Sequence, residues 1–114
     1  MSTAVDRVFG ALADPTRRAL LQRLLDEGPH TATRLAERAP VTRQAIVKHL
    51  QVLAGAGLAV PEREGREVRW SARPDALDEG VRWMVQAGAS WDRRLERLRR
   101  GVDAAAGSRR RPPR

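Results

Sequence analysis

Apolar residues recur at helical spacing in the first 30 residues, in two segments that are bounded by helix-starting and helix-stopping residues. The first segment places its apolar residues on one face of a short helix: Val5, Val8, Phe9 and Leu12. Asp14 and Pro15 suit the cap and the first position of a second helix. The Asp side chain can accept hydrogen bonds from the unpaired backbone amides of the first turn, and Pro has no amide hydrogen that would need a partner. Its apolar stripe contains Leu20, Leu21, Leu24 and Leu25, and Gly28-Pro29 ends it. Two helices are predicted here.

Two further helices follow after short connections. Thr31 suits the cap of a short third helix with the sequence TATRLAERA, which Pro40 closes. Thr42 suits the cap of a fourth helix, in which Ile46, Leu50 and Leu53 repeat at i, i+4 and i+7 and which Gly55 and Gly57 end. Two helices joined by three or four residues form a helix-turn-helix arrangement.

The helical period is lost in the sequence LAVPEREGREVRWSA, where Val68 and Trp70 alternate with polar residues. Gly65 lies between two short runs, residues 58–60 and 67–72, as the tip of a β-hairpin requires. The pattern predicts a two-stranded wing. His30, before the third helix, is predicted to be a loop residue.

From Pro74 onward the pattern is helical again, and apolar positions alternate steps of four and three. The seam contains Leu77, Val81, Met84, Gly88, Trp91, Leu95, Leu98 and Val102. Such a repeat is typical of a long helix that packs along another helix. The stripe either covers the core of its own domain or faces a partner chain. We favour the partner, since a small domain has little core left this far along the helix.

Composition adds limits to this picture. The 114 residues suit one domain, predicted over residues 1–106, followed by a disordered basic tail at 107–114. The net charge of +8 suits a polyanionic partner, but nine of the arginines lie in residues 91–114, so the charge of the folded part is much smaller. No signal peptide or membrane-spanning run is recognised, and the absence of cysteine fits a reducing bacterial cytoplasm.

Catalytic and metal-binding patterns are missing from the sequence. It has two histidines, no cysteine, no tyrosine, no glycine-rich phosphate loop and no His-Glu-x-x-His motif. The clustered carboxylates Asp75, Asp78 and Glu79 open the long helix, where the helix dipole favours negative charge. We therefore expect no enzyme activity, no metal site and no cofactor.

The fourth helix carries the strongest functional pattern, because residues 41–60 contain no acidic side chain. With Ile46 as the buried direction, the flank at about 100° to 200° contains Gln44, Val47, Lys48 and Gln51. Gln, Lys and a Val methyl suit the major-groove edges of adenine, guanine and thymine. A carboxylate there would meet phosphates on both groove walls. An ordinary solvated face usually mixes Glu with Lys, so we favour contact with double-stranded DNA.

Several neighbouring residues are weaker candidates for DNA contact. Thr42 lies at the start of the fourth helix, and Arg43, about 60° from the buried direction, is placed to grip a phosphate. His49 lies about 60° away on the other side and either reaches a phosphate or packs. In the wing, the candidate cations are Arg63, Arg66 and Arg69, nearly offset by Glu62, Glu64 and Glu67.

Together these segments resemble the ArsR-type winged helix-turn-helix transcriptional regulators over residues 5 to about 100. Three pieces carry the resemblance: ALADPTRRALL, TRQAIVKHLQVLAGAGL and GREVRW. The fold class predicted is mainly α with a small β-hairpin, a winged helix-turn-helix of five helices with a long C-terminal dimerisation helix.

The resemblance implies a homodimer formed by the first and last helices, which binds an imperfect palindrome and represses its own or a neighbouring operon. The interface would contain Val5, Val8, Phe9, Leu12, Met84, Trp91, Leu95 and Leu98. Many relatives sense metals through thiolates on the third helix or His and carboxylate ligands on the last. This chain has neither ligand set, so it resembles the subgroup without a metal-ligand motif. An effector or a protein partner of unknown identity is left open.

Two functional hypotheses result. The first is a dimeric, sequence-specific DNA-binding regulator, supported by the acid-free fourth helix. The second is a protein-interaction module, in which the winged-helix surface or the long helix binds a partner and DNA contact is incidental. A gel shift against the DNA upstream of the gene would separate the two.

Overall fold

The computed structural model describes residues 3–109, with side chains described for residues 3–105, and its elements follow the predicted order. The helices are α1 (Ala4–Leu12), α2 (Pro15–Glu27), α3 (Ala32–Glu37), α4 (Arg43–Gly55) and α5 (Asp75–Arg109). The strands are β1 (His30–Thr31), β2 (Ala59–Glu64) and β3 (Glu67–Ala72). The predicted set of five helices and a wing is confirmed.

Side-chain caps set where the helices begin. The Asp14 carboxylate accepts hydrogen bonds from the amides of Thr16 at 2.7 Å and Arg17 at 3.1 Å, and Pro15 occupies the first position of α2. The hydroxyls of Thr31 and Thr42 accept from the third amide of α3 and α4, at 3.2 and 3.1 Å. Each bond satisfies an amide that has no partner within its helix, so the predicted caps are confirmed.

The sheet differs from the prediction. It has three antiparallel strands in the order β1-β3-β2, not two, because His30 and Thr31 pair with Trp70 and Arg69 of β3. His30 is therefore a strand residue, and its prediction as a loop residue was wrong. A strand of two residues has no period of its own, and only its partner in β3 defines it.

The hairpin of β2 and β3 turns at Gly65, whose positive φ of 62° favours glycine. The two strands pair from Ala59 with Ala72 to Glu64 with Glu67. β2 is an edge strand, and it contains Pro61 opposite Trp70. The first strand of the wing is longer than predicted, since it runs to Glu64.

The core lies where α1, α2, α3, α4 and the sheet meet. Leu35, Ile46, Leu50, Leu53 and Leu58 are fully buried, and Trp70 covers them from β3 with 7% exposure. The predicted inward face of α4 is thus confirmed. In α2 the stripe is narrower than predicted, because Leu25 is 42% exposed while Leu20, Leu21 and Leu24 are buried.

The chain divides into two units after Val81. The first unit contains the helix-turn-helix, the sheet and the first residues of α5, of which Ala76 and Leu77 pack against the core. The second unit is the rest of α5. The helix runs to Arg109, three residues beyond the predicted domain boundary at residue 106. The disorder predicted for the tail otherwise concerns residues 110–114, which lie outside the described residues.

Candidate nucleic-acid interface

The position of α4 is fixed by its buried side. Ile46, Leu50 and Leu53 have no exposed surface, and the Thr42 cap holds the first turn. Burying a leucine or isoleucine side chain contributes about 1.5–3 kcal/mol, so this face anchors the helix firmly. The opposite face is consequently presented to solvent in one rotational setting.

The outward face of α4 contains Gln44, Lys48 and Gln51, all exposed, as the helical wheel predicted. Val47 differs: it is half-buried and packs against the core from the edge of this face. Its angle of about 100° from Ile46 places it at the boundary of this face, where it lines a groove together with Val68 and Trp70 of β3. The side chains free to contact base edges are therefore two amides and one ammonium group.

Arg43 is held by a contact that the sequence did not reveal. Its Nε donates a hydrogen bond of 3.1 Å to Oγ1 of Thr33 on α3. Among the residues whose side chains the structure describes, no carboxylate forms an ion pair with Arg43. Its terminal nitrogens are thus oriented by Thr33 and available to an anion.

His49 has a packing contact within the chain, which supports one of the two alternatives left open by the sequence. Its ring is half-buried, with Nδ1 3.4 Å from Nη1 of Arg17. Arg17 is itself fixed, because it donates hydrogen bonds to the backbone oxygens of Ala11 at 2.7 Å and Gly10 at 3.2 Å. This arginine connects the C-terminal end of α1 to α4, a contact that no pattern in the sequence indicated.

The Asp14 cap belongs to the same contact region and is electrostatically favoured. The pKa of the Asp14 carboxyl is lowered, chiefly because the Arg17 amide donates a hydrogen bond to it. Desolvation raises this pKa, but the hydrogen bond from the Thr16 amide and the nearby charges of His49 and Arg17 lower it further. The carboxylate is therefore the form that stabilises the start of α2.

The wing presents fewer free cations than the sequence suggested. Arg63 and Arg66 are exposed, and neither has an ion-pair partner in the part of the chain with described side chains. Arg69 is half-buried in the central strand, and its Nε lies 3.0 Å from Oε2 of Glu64. Its prediction as a phosphate contact is therefore weaker than those of Arg63 and Arg66, because Arg69 already has an acidic partner.

The residues predicted for a dimer interface fall into two groups. In α1, Val8 is only 2% exposed and belongs to the core of its own unit, so its prediction as an interface residue was wrong; Leu12 also packs against that core. Val5 and Phe9 are half-buried. Helical spacing identifies an apolar face but does not tell which of its members an adjacent helix covers.

In α5 the predicted stripe is exposed. Met84 is 50% exposed, Trp91 55%, Leu95 37% and Leu98 57%. Val81, Trp83, Val85 and Val102 add to the exposed apolar surface of this helix. Isolated apolar residues on a surface need no explanation, but a continuous stripe of this size marks an interaction surface.

The described residues contain neither a cluster of metal ligands nor a membrane-spanning helix. Within the described residues, no group of three or more His, Asp or Glu side chains is arranged to hold a metal ion. In the same part of the chain, no helix combines the length and apolar character needed to cross a bilayer.

Comparison with known proteins gives concordant results. A family described as a helix-turn-helix domain matches residues 12–62. The transcriptional repressor SdpR of Bacillus subtilis is 33% identical over 81 residues, which cover 71% of this chain and 89% of SdpR. An ArsR-like transcriptional regulator from Rhodococcus sp. RHA1 has a similar structure, with a TM-score of 0.75 and 40% identity over 85% of this chain and 91% of that one.

A third similar protein is the winged helix-turn-helix DNA-binding domain Mb0332 of Mycobacterium bovis, a possible ArsR-family regulator whose solution structure is homodimeric. It superposes with a TM-score of 0.61 and 26% identity, covering 75% of this chain and 79% of that domain.

Proposed function

The chain belongs to the ArsR family of winged helix-turn-helix transcriptional regulators, and from this premise we propose that it binds double-stranded DNA as a homodimer and represses transcription. The proposed operator is an imperfect palindrome near its own or a neighbouring operon, in the bacterial cytoplasm. The recognition helix is α4, which enters the major groove by its N-terminal half.

One observation carries this proposal: the exposed face of α4 has amides and a cation and no carboxylate. Gln44 lies in the first turn and Lys48 one turn later, so both side chains point the same way. Glutamine pairs with the adenine edge and lysine with guanine N7 and O6, the two contacts by which a major-groove helix distinguishes base pairs. Phosphates line both walls of the groove, where an acidic side chain would be repelled.

The remaining candidates take positioning roles in this proposal. Thr42 and Arg43 lie where the helix enters the groove, and Arg43 contacts a phosphate beside it. The exposed wing cations Arg63 and Arg66 add contacts to the backbone of an adjacent groove. His49 lies at the edge of α4, and its contact with Arg17 leaves it as a support of the helix.

The experiment is a binding titration of the full chain against its upstream DNA, monitored by fluorescence anisotropy. Gln44→Ala should weaken operator binding by about 1–3 kcal/mol and relax the preference at one base pair in each half-site. Gln86→Ala, which truncates an exposed glutamine on α5, serves as the matched control and should leave binding unchanged. If Gln44→Ala, Lys48→Ala and Gln51→Ala combined changed neither affinity nor base preference, α4 would not read the operator and the interaction-module hypothesis would replace this one.

The homodimer is proposed to form through the exposed stripe of α5, with Val5 and Phe9 of α1 contributing. The 4-3 spacing of Trp91, Leu95 and Leu98 places them on one side of the helix, as in helices that pack along each other. Covering this stripe removes apolar area from water, which stabilises the dimer by about 25 cal/mol per Å² of buried apolar area. A symmetric pair would cover the same stripe on both copies.

Light scattering tests the assembly. Leu95→Glu should yield a monomer, because it places a carboxylate at the centre of the proposed seam. Arg93→Glu, at an exposed position about 200° away on the same helix, is the control and should leave the dimer intact. A wild-type mass near 12.7 kDa at micromolar concentration would contradict the proposed dimer.

A further inference from the structure

A groove of about 480 Å³ lies between α3, α4 and the central strand β3. Its volume falls within the range of about 300–1,000 Å³ that is typical of small-molecule sites. Ten residues line it: Thr31, Ala32, Thr33, Arg34, Arg43, Val47, Arg66, Glu67, Val68 and Trp70. All belong to the first unit, and no wall of the groove depends on α5.

Positive charge dominates the polar part of the lining. Three guanidinium groups, from Arg34, Arg43 and Arg66, face one carboxylate, that of Glu67. Within the residues whose side chains are described, neither Arg43 nor Arg66 has an ion-pair partner, and Arg34 reaches only the exposed Glu37, at 4.0 Å. Because the three arginines outnumber the one carboxylate in the lining, the groove favours an anion, and the planar donors of arginine suit a carboxylate or a phosphate.

The rest of the lining is apolar. Val47 and Val68 are half-buried walls, and the ring of Trp70 is almost fully buried. A phosphate of the DNA backbone would use the arginines alone and has no apolar part to place against these side chains. The groove therefore combines an anion-binding rim with an apolar interior, as sites for amphipathic small molecules do.

We propose that this groove binds a small organic anion, a carboxylate or phosphate attached to an aromatic or branched aliphatic body, and that its occupancy opposes DNA binding. The anionic group pairs with Arg43 and Arg66, and the apolar body lies against Val47, Val68 and Trp70.

The coupling follows from shared residues and rests on the proposed function. Arg43 and Val47 are both groove residues and members of the DNA-reading helix α4. A ligand anion that engages Arg43 removes that guanidinium from the phosphate it would contact. Because linkage is reciprocal, the ligand lowers the affinity for DNA by the same factor by which DNA lowers the affinity for the ligand.

The first test uses 1-naphthoate as a probe and maps binding to the isotopically labelled full chain by NMR. Saturable shifts are expected at the backbone amides of Thr33, Arg34, Val47 and Val68 and at the Trp70 indole. Arg66→Ala should weaken the probe about tenfold, for one lost charged hydrogen-bonding pair. Arg73→Ala, an exposed arginine outside the groove, should leave the dissociation constant unchanged.

Two analogues test the anionic and the apolar contacts of the groove separately. The neutral 1-naphthylmethanol and inorganic phosphate should each bind at least about tenfold more weakly than 1-naphthoate, since each lacks one of the two contacts. Equal binding of the alcohol would overturn the anion requirement, and equal binding of phosphate would overturn the apolar one. Shifts confined to α5, or none at all, would refute the site.

The second test adds 1-naphthoate to the anisotropy titration with upstream DNA. Apparent DNA affinity should fall as the probe saturates the groove, and Arg66→Ala should require about tenfold more probe for the same effect. If the NMR map shows an occupied groove while DNA affinity stays constant, the coupling is wrong. If the chain binds no DNA even without the probe, the proposed function fails, whereas the NMR result still decides the groove.

Discussion

The hydrogen bond from Arg43 to Thr33 leads to a quantitative prediction. Thr33→Val removes the acceptor while keeping the size and branching of the side chain. In the native chain the bond restricts the rotamers of Arg43 and aims its terminal nitrogens, so part of the ordering needed for a phosphate contact precedes binding. Without it, that ordering must occur on the DNA, and affinity should fall.

The size of the loss follows from the geometry. The bond is 3.1 Å long and has a charged donor, but both side chains are exposed, which limits its net contribution to roughly 1 kcal/mol. This corresponds to about a fivefold loss of affinity for each half-site. Because a phosphate contact carries no base information, operator and unrelated duplexes should lose affinity equally.

A double-mutant cycle isolates the effect. Thr33→Val and Arg43→Ala are measured singly and together by fluorescence anisotropy on both duplexes over a range of salt concentrations. Arg43→Ala alone should weaken all sequences similarly and reduce the salt slope by about one unit. In the Arg43→Ala background, Thr33→Val should have no further effect on DNA affinity. Thr33→Ser, which retains the oxygen, should bind DNA as tightly as the Thr33 parent in each background. Additive losses would show that Thr33 acts independently of Arg43 and would refute the reasoning.

Four other predictions concern stability, the tail and metals. Leu50→Ala should lower the free energy of unfolding by about 2–5 kcal/mol in chemical denaturation, whereas Val52→Ala, at an exposed position, should cost far less. Because the pKa of Asp14 is lowered in the folded chain, the carboxylate contributes to the free energy of unfolding above its ordinary pKa of 3.8, and this contribution is lost as the pH falls through the pKa of the folded state. Asp14→Asn should therefore make the loss of stability in acid less steep, and an unchanged loss would contradict the role of the cap. Removing residues 107–114 should reduce affinity for every duplex about equally and flatten the salt dependence, while a loss confined to the operator would show that the tail reads bases. Calorimetry with zinc should detect no tight stoichiometric binding, and tight binding coupled to loss of DNA affinity would reveal a metal sensor.

Sequence reasoning predicted the elements that local chemistry defines. Asp14, Thr31 and Thr42 begin their helices by bonding amides a few residues away, and a positive φ at Gly28 and Gly57 follows two of the helices. The buried side of α4 was predictable too, since helical geometry relates its residues whatever surrounds them.

Features that depend on distant parts of the chain were not predictable. The bonds of Arg43 to Thr33 and of Arg17 to the end of α1 need the packed arrangement of separate helices. Similarly, the periodicity of α1 placed Val8 and Phe9 on the same apolar face, and only the fold shows that Val8 is buried in the core of its own unit. The proposed anion-binding groove also combines residues from separate elements, so no single segment of the sequence indicates it.

Pro61 in the edge strand β2 determines how the wing meets other molecules. Proline has no amide hydrogen, so β2 offers an interrupted row of donors to any strand that approaches it. At the other edge, β1 is only two residues long, too short to template a neighbour. Both borders of the sheet therefore resist extension into intermolecular β-structure, and a chain that has left its DNA is protected from aggregation through its wing.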